Sequence, residues 1–391
     1  MGNKLALTVG GVHKVGKKAY LTVGGVQRKA KKAYLTVNGV HRKCWTFNDK
    51  VKLEYYGTAT GLSVARSDLA GTRVGNYALF GGGIKRESST NSVVNTVDAY
   101  SNTLTRSIPS SLSVAREIPA GGYIGNYALF AGGYASGVSA IVDAYNASLT
   151  RTTPTGLSQA RHELVFANVG GYALFGGGLT ASANSYASAV VDVYNSSLTR
   201  STATSLVTAR TNLAAASVGG YALFGGGINK NDEVVSTTDA YNTSLTRSSP
   251  SKLNSISFLL GAASVGQYAL FAGGSDSYSD GTDLNVVSAY NESLTLSKPS
   301  VLGTARPNVK GASVGGRFAV FARGGILSTS SKKADAYNES LTRTQYTMSS
   351  GTTSSNATSV GNYALIGGGK GMTNNTDRYA IVEVFAMVED E

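Results

Sequence analysis

The sequence predicts an all-β chain, a seven-bladed β-propeller preceded by a short basic segment of β-hairpin repeats. Three observations carry this. A phrase of the type "NYALFGGG" occurs seven times, with its aromatic residue at Tyr77, Tyr127, Tyr172, Tyr221, Tyr268, Phe318 and Tyr363, 45 to 50 residues apart. Each copy belongs to a unit holding four short apolar, β-branched or aromatic stretches separated by Gly, Ser, Asn and Thr, and units of that length with four strands read as propeller blades. The first 46 residues have a different period and a different charge.

In chain order, the basic segment comes first. "LTVGGVHKVGKKAY", "LTVGGVQRKAKKAY" and "LTVNGVHRKCW" start at Leu7, Leu21 and Leu35, fourteen residues apart. Gly-Gly and Asn-Gly between β-prone stretches favour two-residue hairpin turns. Residues 1–46 carry eight Lys, two Arg and no acidic residue, which is +10 of the chain's net +12, so residues 47–391 are close to neutral. A lone hairpin is marginal in water, so this segment is expected to act as an anchor that docks on an acidic partner or self-associates. Its contacting groups are Lys14, Lys17, Lys18, Arg28, Lys29, Lys31, Lys32, Arg42 and Lys43. A solvated tail and a nucleic-acid arm are the competing readings, and nucleic acid is not favoured because it leaves the regular β pattern unexplained.

Next comes "KVKLEYYGTA" near residues 51–57, expected as the outer strand of blade seven, which otherwise stops at "VEVF". Closure of this kind removes free sheet edges. Each blade then opens with a phrase such as "LAAASVG", continues with "YALF" ending on glycines, and adds "VDAY" and "LTR" strands. No helix follows the glycines, so they are turn residues and not a phosphate loop.

Five "VDAY" phrases hold Asp98, Asp143, Asp192, Asp239 and Asp335, and their "LTR" phrases hold Arg106, Arg151, Arg200, Arg247 and Arg343. The fifth unit replaces both partners, with Ser288 and Leu296. A hairpin folded about Asn102 sets Asp98 opposite Arg106, an exposed cross-strand pair, so that removing Asp98 is expected to alter stability little. "NAS", "NSS", "NTS" and "NES" in the same phrase match a glycosylation sequon but read as turn residues.

The double glycine after the second strand and the Tyr of the third resemble the kelch repeat over residues 51–388. The chain departs from it where kelch units carry a fourth-strand Trp and this one has Leu. Kelch oxidases need a copper site, but the propeller holds one histidine, His162, and no cysteine. "SDSYSDGTD" from Ser275 lacks the ordered spacing and Trp of a sialidase Asp box. The expectation is therefore a non-enzyme with no cofactor and no metal site. A single cysteine, Cys44, precludes an internal disulfide, and no apolar run is long enough to span a membrane as a helix.

The loops between second and third strands vary most and share a face with the loops leading into the first strand. Tyr134, Tyr186 and Tyr278 on that rim suit carbohydrate. The "LSVAR" phrase puts Arg66, Arg116, Arg161, Arg210 and Arg306 on the same face. They either line a central pocket for an anionic ligand such as an acidic glycan or hydrogen-bond loop carbonyls to fix the blade junctions. The tandem basic repeats followed by a propeller resemble predicted structural proteins of tailed bacteriophages. That resemblance implies a virion location, homo-oligomers, contact with other virion proteins through residues 1–46, and an outward propeller that binds a host-surface or mucosal glycan. The alternative is a cytoplasmic kelch-type scaffold for an acidic protein.

Overall fold

The computed structural model describes residues 50–390 other than 279–280, 326–330 and 372–376, together with the backbone of six short strands within residues 5–46. The chain divides into two compact units, Met1–Lys52 with Val388–Glu391, and Leu53–Met387. The division falls between residues 52 and 53 instead of between 46 and 47.

In the first unit, the six strands pair as three antiparallel hairpins. Val9 faces Val12, Val23 faces Val26 and Val37 faces Val40, so each connection is a two-residue loop of Gly-Gly or Asn-Gly.

The second unit is a seven-bladed propeller of antiparallel four-stranded sheets. Blade one runs from Ala70–Val74 through Tyr77–Gly81 and Val97–Ser101 to Arg106–Ser107, and the next five blades repeat that meander. In the last sheet, Asn356–Val360, Tyr363–Gly367 and Val382–Glu389 are followed by Val51–Ala59 in the fourth position. Neighbouring innermost strands contact one another in cyclic order, the seventh reaching the first.

Burial explains the phrases. The "YALF" strand is buried on both faces because it lies between two strands of its own sheet and two neighbouring blades. Its Phe meets the third-strand Tyr edge to face, as Phe130 meets Tyr145 at 5.9 Å. The terminal glycines sit where nothing larger fits. A Cβ on Gly82 would lie 2.5 Å from the Arg116 carbonyl oxygen of the next blade, and Gly83 has φ +109°.

The innermost strands cannot pair with one another as a sheet, and hydroxyls bridge them instead. Ser217 Oγ donates to the Asn168 carbonyl at 2.7 Å while accepting the Asn168 N–H at 3.1 Å, and Ser264 does the same for Ser217. These hydroxyls satisfy backbone groups of Asn168 and Ser217 that the separate sheets leave unpaired.

The third and fourth strands join through a turn that differs from the expected one. Tyr100, not Asp98, faces Arg106. The reason is Leu104, which takes a left-handed conformation at φ +61° and lengthens the loop, as do Leu149, Leu198, Leu245, Leu294 and Leu341 in their blades. The sequon asparagines fix this turn. Asn146 Oδ1 accepts the N–H groups of Ser148 and Thr150, both at 3.0 Å.

Candidate functional site

The five "LSVAR" arginines are buried inside the blades, with at most 1% of the side chain exposed. Their donors serve loop carbonyls: Arg66 donates to Val64, Phe80 and Gly82 at 2.9 to 3.1 Å, and Arg116 repeats this with Val114, Phe130 and Gly132. Each also pairs with the aspartate of its own blade, Arg66 with Asp98 at 2.8 Å, Arg210 with Asp239 at 2.7 Å and Arg306 with Asp335 at 2.8 Å. Burial lowers the pKa of Arg66, Arg161 and Arg210, against the raising effect of the paired carboxylate. They hydrogen-bond loop carbonyls at the blade junction, the second of the two readings open from the sequence, and present no guanidinium to a ligand.

The aspartates are likewise fully buried, so the exposed-pair expectation is corrected. Asp98 accepts the Ser63 N–H at 2.9 Å and stands between Arg66 and the partly exposed Arg106, 3.8 Å away. The outer arginines are 25–30% exposed and the carboxylates not at all. Blade five replaces the whole set, because Ser257 stands where the buried arginine would be. Ser257 Oγ donates to the Gly273 carbonyl at 2.8 Å, and Ser288 Oγ accepts the Asn254 N–H at 2.9 Å as Asp98 does from Ser63. Blade seven uses Arg323 from the preceding blade. It donates to Thr352 Oγ1 and the Gly368 carbonyl, both at 2.5 Å, and lies 3.9 Å from Glu383, with its pKa pushed down to about 10 mainly by burial.

The site itself lies on the axis. Two residues beyond each "LSVAR" arginine, the chain turns into the innermost strand through a left-handed residue. These are Asp68, Ile118, Glu163, Asn212, Leu259, Asn308 and Ser354, with φ between +50° and +56°. Backbone bonds link several of them around the axis, including Ile118 N–H to the Asp68 carbonyl at 2.7 Å and Asn308 N–H to the Leu259 carbonyl at 2.8 Å. All seven line the mouth of a cavity of about 380 Å³ whose wall includes Lys310 and Phe166. Glycines keep the throat tight: a Cβ on Gly121 would lie 2.0 Å from the Gly71 carbonyl oxygen.

Three charged side chains line the cavity. Glu163 Oε2 accepts Thr211 Oγ1 at 2.6 Å and Asn212 Nδ2 at 3.0 Å, while Asp68 Oδ2 accepts Ser67 Oγ at 2.7 Å. Burial lowers the pKa of Lys310, and the charges of Asp68 and Glu163 oppose that shift. Glu117, one residue before the mouth position of its blade, has a pKa pushed up to about 7, first by burial and then by the Asp68 charge, against Lys370 and Arg378. These residues were not among the expected site. The signal for them was present: two variable positions sit between repeated arginine and leucine positions in "ARSDLA", "ARHELV" and "ARTNLA", and the second of them is the mouth residue.

The rim tyrosines do not converge. Tyr134 meets His162 at 5.4 Å in a tilted ring contact between blades two and three. Tyr186 closes a single 3-10 turn and is 55% exposed, and Tyr278 lies 6.1 Å from Phe258 and is 64% exposed. Of the anchor residues, Lys17, Lys18 and Lys31 lie outside the described residues, and the strands holding Lys14, Arg28, Lys29, Lys32, Arg42 and Lys43 are described by their backbone alone. Among the described residues, no three His, Cys, Asp or Glu side chains are grouped to hold a metal ion.

No protein-family pattern matches the chain, and no curated protein does. Among solved structures it is similar to one titled "Structure of YjhT", with a TM-score of 0.58 and 10% identity over 74% of this chain and 99% of that one. At that identity the likeness concerns the fold alone.

Proposed function

We propose that the chain is a display and attachment protein of the bacteriophage-particle type, anchored by residues 1–46 and binding a host-surface or mucosal glycan through the propeller. On this reading the propeller is a kelch-like binding module and not an enzyme. One observation supports the binding role above all. Seven structurally equivalent left-handed positions around the axial cavity carry six different residue types, among them Ile118, although that backbone favours Asn, Asp or Gly. Strain that the backbone does not require points to side chains selected for what faces the cavity. A polar cavity of this size on a rigid ring fits a small ligand.

The test is a glycan array probed with the full chain, followed by calorimetry on the best hits. Binding to at least one glycan that persists when the rim residues Tyr186 and Tyr278 are changed to Ala supports an axial site. Retention of no glycan, with an acidic protein recovered instead from cytosol, supports the cytoplasmic scaffold alternative.

A further inference from the structure

The cavity's charged groups are only half used by the protein. Glu163 and Asp68 each engage the second carboxylate oxygen, Oε2 and Oδ2, while Glu163 Oε1 and Asp68 Oδ1 receive no hydrogen bond among the described residues. Lys310 lines the same wall, where the charges of Asp68 and Glu163 act on its ammonium. Two strong acceptors and one strong donor are therefore available to a ligand in a wall that also offers the Phe166 ring and, at the mouth, Ile118 and Leu259.

The balance of charge decides the ligand class. The expected arginines are all internal, so the lining holds two carboxylates against one ammonium. An anionic sugar would meet net repulsion and gain one cation, and a cationic ligand would have to sit beside Lys310. A neutral polyhydroxylated ligand uses all three groups, because its hydroxyls donate to the carboxylates and accept from the ammonium. Hydrogen bonds to ionised groups are the stronger ones, and leaving such groups unpaired in a bound complex is costly, so they also select against ligands lacking the hydroxyls.

Building on the glycan reading above, we infer that the axial cavity binds the terminal residue of a neutral, hydroxyl-rich glycan. Asp68 and Glu163 accept its hydroxyls, Lys310 donates to a ring or hydroxyl oxygen, and Phe166 packs on its C–H face. The cavity of about 380 Å³ lies at the lower end of the range for small-ligand sites, which suits one or two sugar units.

Calorimetry on the full chain tests this with three probe sets, neutral methyl hexosides, methyl glucuronide with sialyllactose, and glucosamine. The expected result is binding of a neutral probe, weakened about tenfold or more by E163Q and by K310M, corresponding to about 1.4 kcal/mol. Y278A should leave it unchanged. Thermal melts of each variant, with K310Q as a second lysine replacement, separate lost binding from lost folding. Preference for the acidic or the cationic probe overturns the neutral class while leaving the glycan reading intact. Neutral binding that survives E163Q and K310M in folded proteins places the site elsewhere and overturns the inference. If none of the three sets binds, the inference fails, and the glycan array decides the broader reading.

Discussion

Two rings of left-handed residues encircle this propeller, and they differ in sequence. At the outer turns, six blades use the same residue, Leu104, Leu149, Leu198, Leu245, Leu294 and Leu341, at φ 58° to 61°. At the axial mouth, seven blades use Asp, Ile, Glu, Asn twice, Leu and Ser at nearly the same φ. The outer leucines offset their strain by packing on the preceding blade, Leu149 against a cluster that includes Val74 and Leu79, Leu198 against one that includes Ile124 and Leu129. The axial residues share backbone hydrogen bonds with their ring neighbours but differ in side chain. Uniformity under strain marks a role in the fold, and diversity under the same strain is what the proposed recognition role predicts.

The sharpest way to break that division is through the repeated charge set, where the largest effect is expected. Asp98→Ala strands the buried Arg66 and should lower unfolding free energy by about 3–5 kcal/mol in urea titrations. Ser288→Ala in the neutral blade five should lose about 1 kcal/mol. Equal losses would mean the buried pair contributes nothing special. Leu149→Ala comes next. It should destabilise by about 1–2 kcal/mol through lost packing between blades, read as a lower melting temperature. Ile118→Asn on the axial ring should act in the opposite direction and stabilise by about 1 kcal/mol, because Asn accepts the left-handed backbone. A loss there would show that Ile118 has a packing role after all.

The smallest effect concerns pH. Burial holds the Glu117 carboxyl above its ordinary value of 4.5, at about 7 in the folded protein. Its contribution to stability is therefore fully present below pH 4.5 and is lost as pH rises through about 7. Because the carboxyl is partly exposed, the change should be on the order of 1 kcal/mol. Glu117→Gln should flatten the urea midpoint between pH 5 and pH 8, and an unchanged slope would assign it to another group.

Much of the fold was legible because the repeat displays it. Seven "YALF" strands, the glycine ends and the Asn turns all follow from local chemistry. The hairpin register was not legible, because nothing in "SNTLTR" announces that Leu104 will be left-handed; the compensation comes from a blade outside the phrase. The aspartate partners of the buried arginines were missed for a related reason. "LSVAR" and "VDAY" lie in separate phrases, and only their joint replacement in unit five, Ser257 with Ser288, hints that Arg66 and Asp98 meet. The axial cavity draws one residue from each blade, and such a set becomes visible only when the ring is assembled.

The location of the charge sets also bears on how such a ring can grow by duplication. In blades one to four and six, the buried arginine, its aspartate and its carbonyl acceptors all come from one repeat unit. Copying or deleting blade one, two, three or four would carry its charges along and leave no orphan behind. Blade seven borrows Arg323 from blade six, so those two units can be inherited only as a pair.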